Sequence, residues 1–248
     1  MLDKSKRQLL KEIGKAAVDL DWKVAFGGKS FGNHHLERVN KIAKYLQRVE
    51  GGDPFIVLAG AWVHDAALAY GKDDEPKVIA KHTKSFLKKF CGLKSEEIER
   101  IVGCAAGHEE GTGLSVEAKI VHDADVIDKS GMLGLIRHTW KMTNLLEERL
   151  LQGNEDLEKL VNHINNRRNK IFTKTAKDIV KNLDKSKDIF VRDRRFALET
   201  LPIISEMAME GKTSDLISEW LIRTYNHASI RALKAQLQCD YLKRRQFI

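Results

Sequence analysis

Residues 54–70 read PFIVLAGAWVHDAALAY, and this stretch decides the fold. Wound as a helix it is apolar on nearly every face, so it belongs in the middle of a protein, covered on all sides. Asp53-Pro54 starts it, with an N-cap side chain and a proline in the first turn. What covers it must be more helix. Upstream, HHLERVNKIAKYLQRV (34–49) carries apolar residues at 36, 39, 42, 43, 46 and 49, the spacing of one helix face, and EGGD (50–53) stops it. Residues 3–20 read as an amphipathic helix. Downstream, 77–90, 95 to about 108 and 115–130 are expected to be helical; Ser95 followed by Glu96 and Glu97 marks a start. EEGTG (109–113) is a glycine-rich break. Most of 131–248 is expected to be helical, broken at LLQGNED, LDKSKD and EGKTSD.

Composition agrees with an all-α chain. Only 3 of 248 residues are proline and 31% are charged, which disfavours sandwiches and barrels. Hydrophobic residues make up 42%, enough for a sizeable core. No run of about 18 apolar residues suggests a membrane span, and MLDKSKRQLLKEIGKAA lacks the apolar centre of a signal peptide. The 3 cysteines have no CxxC spacing, so neither a disulfide framework nor a thiolate zinc site is expected. A reducing, cytoplasmic setting is expected, with no membrane partner. Residues 131–248 hold 22 Lys+Arg and 15 Asp+Glu, or +7 of the net +8. Such a region can attract nucleic acid or other anions, but solvated helix faces look the same, and no nucleic-acid motif accompanies it. GKS (28–30) lacks the earlier glycine of a phosphate loop, since position 23 is Lys.

The helix period sorts the polar residues. His35 lines up with Val39, Ile42 and Leu46 and points inward, while His34, a quarter-turn away, is expected outside. His64 and Asp65 close the most apolar stretch and have little polar face to use. His82 shares a face with Val78, Ile79 and Phe86; His108 shares one with Ile101 and Cys104. VHDA occurs twice, at 63–66 and 121–124. In the second copy Val121, Ala124, Asp125, Asp128 and Met132 form one stripe. Asp123 lies roughly opposite that stripe and His122 to its side, so the inward carboxylate there is Asp125. A lone buried histidine is usually a hydrogen-bonded core residue, but a lone buried aspartate is costly. One divalent cation would satisfy His35, His64, Asp65 and Asp125 together. Two imidazoles and two carboxylates suit a first-row transition metal, and magnesium less well.

These residues, His35-Leu-Glu-Arg-Val39, then His64-Asp65, then Asp123-Ala-Asp125-Val-Ile-Asp128, resemble the HD superfamily of metal-dependent phosphohydrolases, whose pattern is H…HD…D. The match covers about 30–145, with a weaker similarity to small bacterial and archaeal HD hydrolases through HINNRRNKIFTKTAKDIV. The resemblance implies an all-α HD-domain helical bundle with a C-terminal helical extension. It is read as one domain, 1–248, with a metal-binding core over about 30–145 and the extension over 146–248. It implies His35, His64, Asp65 and Asp125 as ligands of a divalent ion (Mn, Fe, Co, Ni, Zn or Mg) and hydrolysis of a phosphomonoester or phosphodiester, with Asp65 positioning or deprotonating water. The substrate expected is a small phosphorylated molecule, a nucleotide first of all. His82 and His108 match places where some relatives hold a second metal or contact phosphate; the alternative for each is a core histidine. Lys129 could meet phosphate or be solvated. After HD comes AALA, not the glutamate-bearing sequences of the deoxynucleotidase and guanosine-tetraphosphate hydrolase branches, and neither HDIGH nor a GYP signature occurs. The alternative reading is a non-catalytic, metal-stabilised helical module that binds nucleotide, nucleic acid or a protein partner. KIVHDADVI also fits the nucleophile motif of haloacid-dehalogenase phosphatases, but that motif needs a strand before it and an α/β surround.

Overall fold

The computed structural model describes residues 2–71, 75–107 and 114–243. Among them are twelve α-helices and no strand. The chain divides into two compact units, Met1–Asp125 and Val126–Ile248.

In the N-terminal unit, α1 (Lys4–Lys23), α2 (His35–Glu50), α3 (Pro54–Val63), α4 (Pro76–Leu87), α5 (Ser95–Gly107) and α6 (Val116–Asp128) follow one another; the division between units falls inside α6. α3 is the middle helix, packed by α1, α2 and α5. Asp53 caps it, accepting from the N–H groups of Phe55 at 2.8 Å and Ile56 at 3.4 Å. Gly60 marks the closest approach: a Cβ there would lie 2.7 Å from Cys104 Cβ and 3.3 Å from Val121 Cγ2. The α2 stripe is buried as expected, with Val39, Ile42 and Leu46 at 0% exposure.

The sequence reading carries one helix through residues 54–70, and the structure corrects it. α3 ends at Val63; Asp65 has φ −98° and ψ 10°, and Ala66–Tyr70 wind as a separate 3-10 turn. The apolar pattern continues across the break because both pieces are buried, so the pattern hides it.

In the C-terminal unit, α7 (Gly131–Lys141) is packed by α8 (Gly153–Arg168), α9 (Lys174–Arg192), α10 (Arg194–Met209), α11 (Ser214–Thr224) and α12 (Ala228–Gln238). The breaks expected near 150–153 and 210–213 are there. The one expected at LDKSKD is not, because α9 runs straight through it. Its polar residues face inward to cap another helix. The N–H groups at the start of α7 lack intrahelical acceptors. Gly131 N–H donates to Asp184 Oδ1 (3.3 Å), Met132 N–H to Ser186 Oγ (3.2 Å) and Leu133 N–H to Gln236 Oε1 (3.2 Å). Gly131 has φ 62°, and a Cβ on it would meet Leu183 O at 2.8 Å, so the turn needs glycine. Asp184 is in turn balanced by Lys187 (3.6 Å) and Arg168 (3.4 Å).

Candidate metal centre

Three elements of the N-terminal unit present the candidate ligands. His35 is the first residue of α2, and its N–H donates to Asn33 Oδ1 at 3.1 Å. His64 and Asp65 sit at the break after α3, and Asp125 is on α6. The helix end matters for chemistry: two adjacent side chains inside a helix would diverge by about 100°, whereas the break lets His64 and Asp65 turn to one point.

That point is narrow. His35 Nε2 lies 3.2 Å from Asp125 Oδ1 and 3.3 Å from Asp65 Oδ2. His64 Nε2 lies 3.4 Å from each of the same two oxygens. The ligand atoms of His35, His64 and Asp125 all fall within 4.8 Å of one another. Ligands bound to one ion at about 2.0–2.2 Å lie about 3.0–3.5 Å apart along the edges of a tetrahedron or octahedron. The four separations have that length, and the donor set of imidazole nitrogen and carboxylate oxygen suits a divalent transition metal.

The tautomer is fixed as well. His64 Nδ1 is 2.9 Å from the carbonyl oxygen of Ala61, so Nδ1 carries the proton and Nε2 keeps its lone pair for the cluster. The His35 and His64 rings meet edge to face, 5.3 Å between centroids. Their side chains are 4% and 0% exposed, Asp125 is 6% and Asp65 is 11% exposed, so Asp65 is the member nearest solvent. Asp65 also lines a small cavity, with Asp21, Leu36 and Trp62.

The other residues singled out in the sequence fall elsewhere. His82, half-buried on α4, stacks on Tyr70 with centroids 4.0 Å apart and is outside the cluster. His108 and the break at 109–113 lie outside the described residues. In the second VHDA, Asp125 joins the cluster and Asp123 does not. Asp123 is nonetheless fully buried, contrary to its expected place away from the inward stripe, and pairs with His122 Nδ1 at 3.1 Å. Cys104 is not a member of the cluster, and burial pushes its thiol up to about 12. Sequence reasoning gave no part to Asn33, whose Oδ1 accepts from the His35 N–H at the start of α2, and used Arg38, buried at 2% on the same helix, only as a member of the motif His35–Val39. An asparagine two residues ahead of a helical histidine is the one signal that could have flagged the first.

The sequence model of the HD domain family matches residues 33–130. All four clustered residues lie inside that span. The chain is 30% identical to YpgQ of Bacillus subtilis (strain 168) over 111 residues, 42% of this chain and 53% of YpgQ, so the match spans about half that relative's length. In three dimensions it resembles the crystal structure of Bacillus subtilis YpgQ (TM-score 0.59, 21% identity, 81% of this chain and 99% of that one). It also resembles YpgQ in complex with ADP (0.60, 21%, 79% and 98%) and the Lin1889 protein of Listeria innocua (0.55, 24%, 77% and 98%). At these identities the likeness is one of fold, and it reaches beyond the HD match into the C-terminal helices. Among the described residues no helix is long and apolar enough to cross a membrane.

Proposed function

We propose that this chain is a divalent-metal-dependent phosphohydrolase that acts on a nucleotide or similar phosphate ester. The observation that carries the reading is the set of four nitrogen–oxygen separations of 3.2–3.4 Å among His35, His64, Asp65 and Asp125. The match of residues 33–130 to the HD domain family supports the reaction class, and the ADP bound by YpgQ supports a nucleotide as the substrate to try first.

A divalent cation held by these four residues supplies Lewis-acid polarisation of a phosphoryl oxygen and lowers the pKa of water in its reach. The chain does the rest. Ala61 holds His64 in the tautomer that offers Nε2. His35 and His64 keep both carboxylates turned inward. Asp65 gives Oδ2 to the cluster, and as its most exposed member is placed to accept a proton from an attacking water with the other oxygen. His82 and His108 are assigned to phosphate contact around the site.

The test is phosphate release from a panel of nucleotides and simple phosphoesters with Mn²⁺, Co²⁺, Ni²⁺ and Mg²⁺, for wild type and Asp65→Ala. Release by wild type, reduced at least about 100-fold in the variant, supports the proposal. Equal release by both points to a contaminant and overturns it. Tight metal binding with no turnover on any substrate would instead favour the non-catalytic binding module, a reading that the AALA after His64-Asp65 keeps in play.

A further inference from the structure

The C-terminal unit holds a second group of titratable side chains, none of them a member of the metal cluster. The rings of His138 on α7 and His163 on α8 lie face to face, 3.5 Å between centroids and 7° between planes. Arg167, one turn beyond His163, donates its Nε–H to His163 Nε2 at 2.9 Å. Helical spacing puts Lys141 on the face of His138 and Lys170 one turn past Arg167, in the turn that ends α8.

The leading charges that bear on the stacked rings are positive. Burial holds His138 down at about 3, followed by the positive charges of His163, Arg167 and Lys141. Burial likewise holds His163 at about 4, followed by Arg167, Lys141, Lys129 and Lys170. Elsewhere in this unit arginines meet acids: Arg168 meets Asp184 at 3.4 Å, Arg149 meets Asp156 at 2.7 Å and Arg194 meets Glu158 at 2.9 Å. Arg167 makes no ion pair among the described residues, and its one hydrogen bond uses Nε on a neutral imidazole. Its two terminal nitrogens keep the planar fork that matches a phosphate or carboxylate edge. Like charges gathered in one patch repel each other and create a potential that draws in an anion.

We propose that Arg167, with Lys170 and Lys141 beside it and the His138–His163 stack beneath it, is a binding site for a phosphate-type oxyanion. The ligand class is inorganic phosphate or pyrophosphate, or the phosphate chain of a nucleotide. The inference does not depend on the metal cluster.

Calorimetric titration of the full chain at pH 6.5 in EDTA, with pyrophosphate, phosphate and ADP as separate titrants, tests it. EDTA and the Asp125→Asn variant both remove any contribution of a metal. Saturable binding that persists in Asp125→Asn and weakens at least tenfold in Arg167→Gln and in Lys170→Gln is expected. NMR signals of His138 and His163 should move along the same titration, and Arg195→Gln, an exposed arginine paired with Glu199, should bind as wild type. The tighter of pyrophosphate and ADP identifies the source of the phosphate. Absence of saturable binding, equal affinity in Arg167→Gln and Lys170→Gln, or still histidine signals would each overturn the proposal. Circular dichroism of each variant excludes unfolding as the cause.

Discussion

At the scale of single residues, the two VHDA copies separate cleanly. Asp65 and Asp125 meet His35 and His64, while Asp123 pairs with His122. Asp125→Asn is therefore expected to lower Mn²⁺ affinity and turnover by about 100-fold or more. Asp123→Asn should leave turnover largely intact and cost about 1 kcal/mol of stability, read from urea denaturation beside an activity assay. The stripe argument reached Asp125 from sequence because a helix places i, i+3 and i+4 together. It missed the burial of Asp123 because the rest of α6 is buried too: His122 is 5% exposed, Asp125 4% and Asp128 3%. The stacked histidines give a pH prediction. Folding holds His138 at about 3 and His163 at about 4, whereas unfolded histidine titrates near 6.5. Between those values the unfolded chain binds more protons, so stability rises with pH. The thermal midpoint should fall as pH drops from 6.5 to 5. That slope should flatten in His138→Asn/His163→Asn, and an unchanged slope would contradict the assignment.

At the scale of elements, what was legible was whatever the helix period controls. α2, α4, α5 and α6 begin and end within a few residues of where apolar spacing and caps put them. Two elements were misread for opposite reasons. The stretch 54–70 looked like one helix because both sides of the break are apolar, yet the break is what lets His64 and Asp65 converge. LDKSKD looked like a break because it is polar, yet Asp184, Ser186 and Lys187 are polar residues in the interior, capping and balancing the start of α7. Hydropathy has no means of telling an inward cap from a loop. Asp184→Ala removes that cap and leaves Lys187 and Arg168 without their shared carboxylate; a loss of about 3 kcal/mol or more is expected in chemical denaturation. Gly60→Ala should cost about 1–3 kcal/mol by forcing α3 off Cys104, with the metal ligands themselves untouched.

For the whole molecule, the sequence supported an all-α chain on low proline content and repeated helical spacing, and the described residues hold twelve α-helices and no strand. It offered no way to place a boundary, because the chain has no linker-like composition anywhere. The single-domain reading keeps a direct test. In a 1–145 fragment α7 would lose α8 to α12, the helices that cover Leu133, Leu135 and Ile136. Such a fragment should aggregate or stay partly unfolded, and a soluble, cooperatively melting one would contradict the reading. The central claim, that four side chains from three elements hold one divalent ion, is tested most directly by titrating EDTA-stripped full-length protein with Mn²⁺ in a calorimeter, wild type beside His35→Ala and Asp125→Asn. Stoichiometric binding by wild type, lost in both variants while circular dichroism stays helical, is the predicted result. Wild type that takes up no Mn²⁺, Co²⁺ or Ni²⁺, or variants that bind as well as wild type, would contradict it.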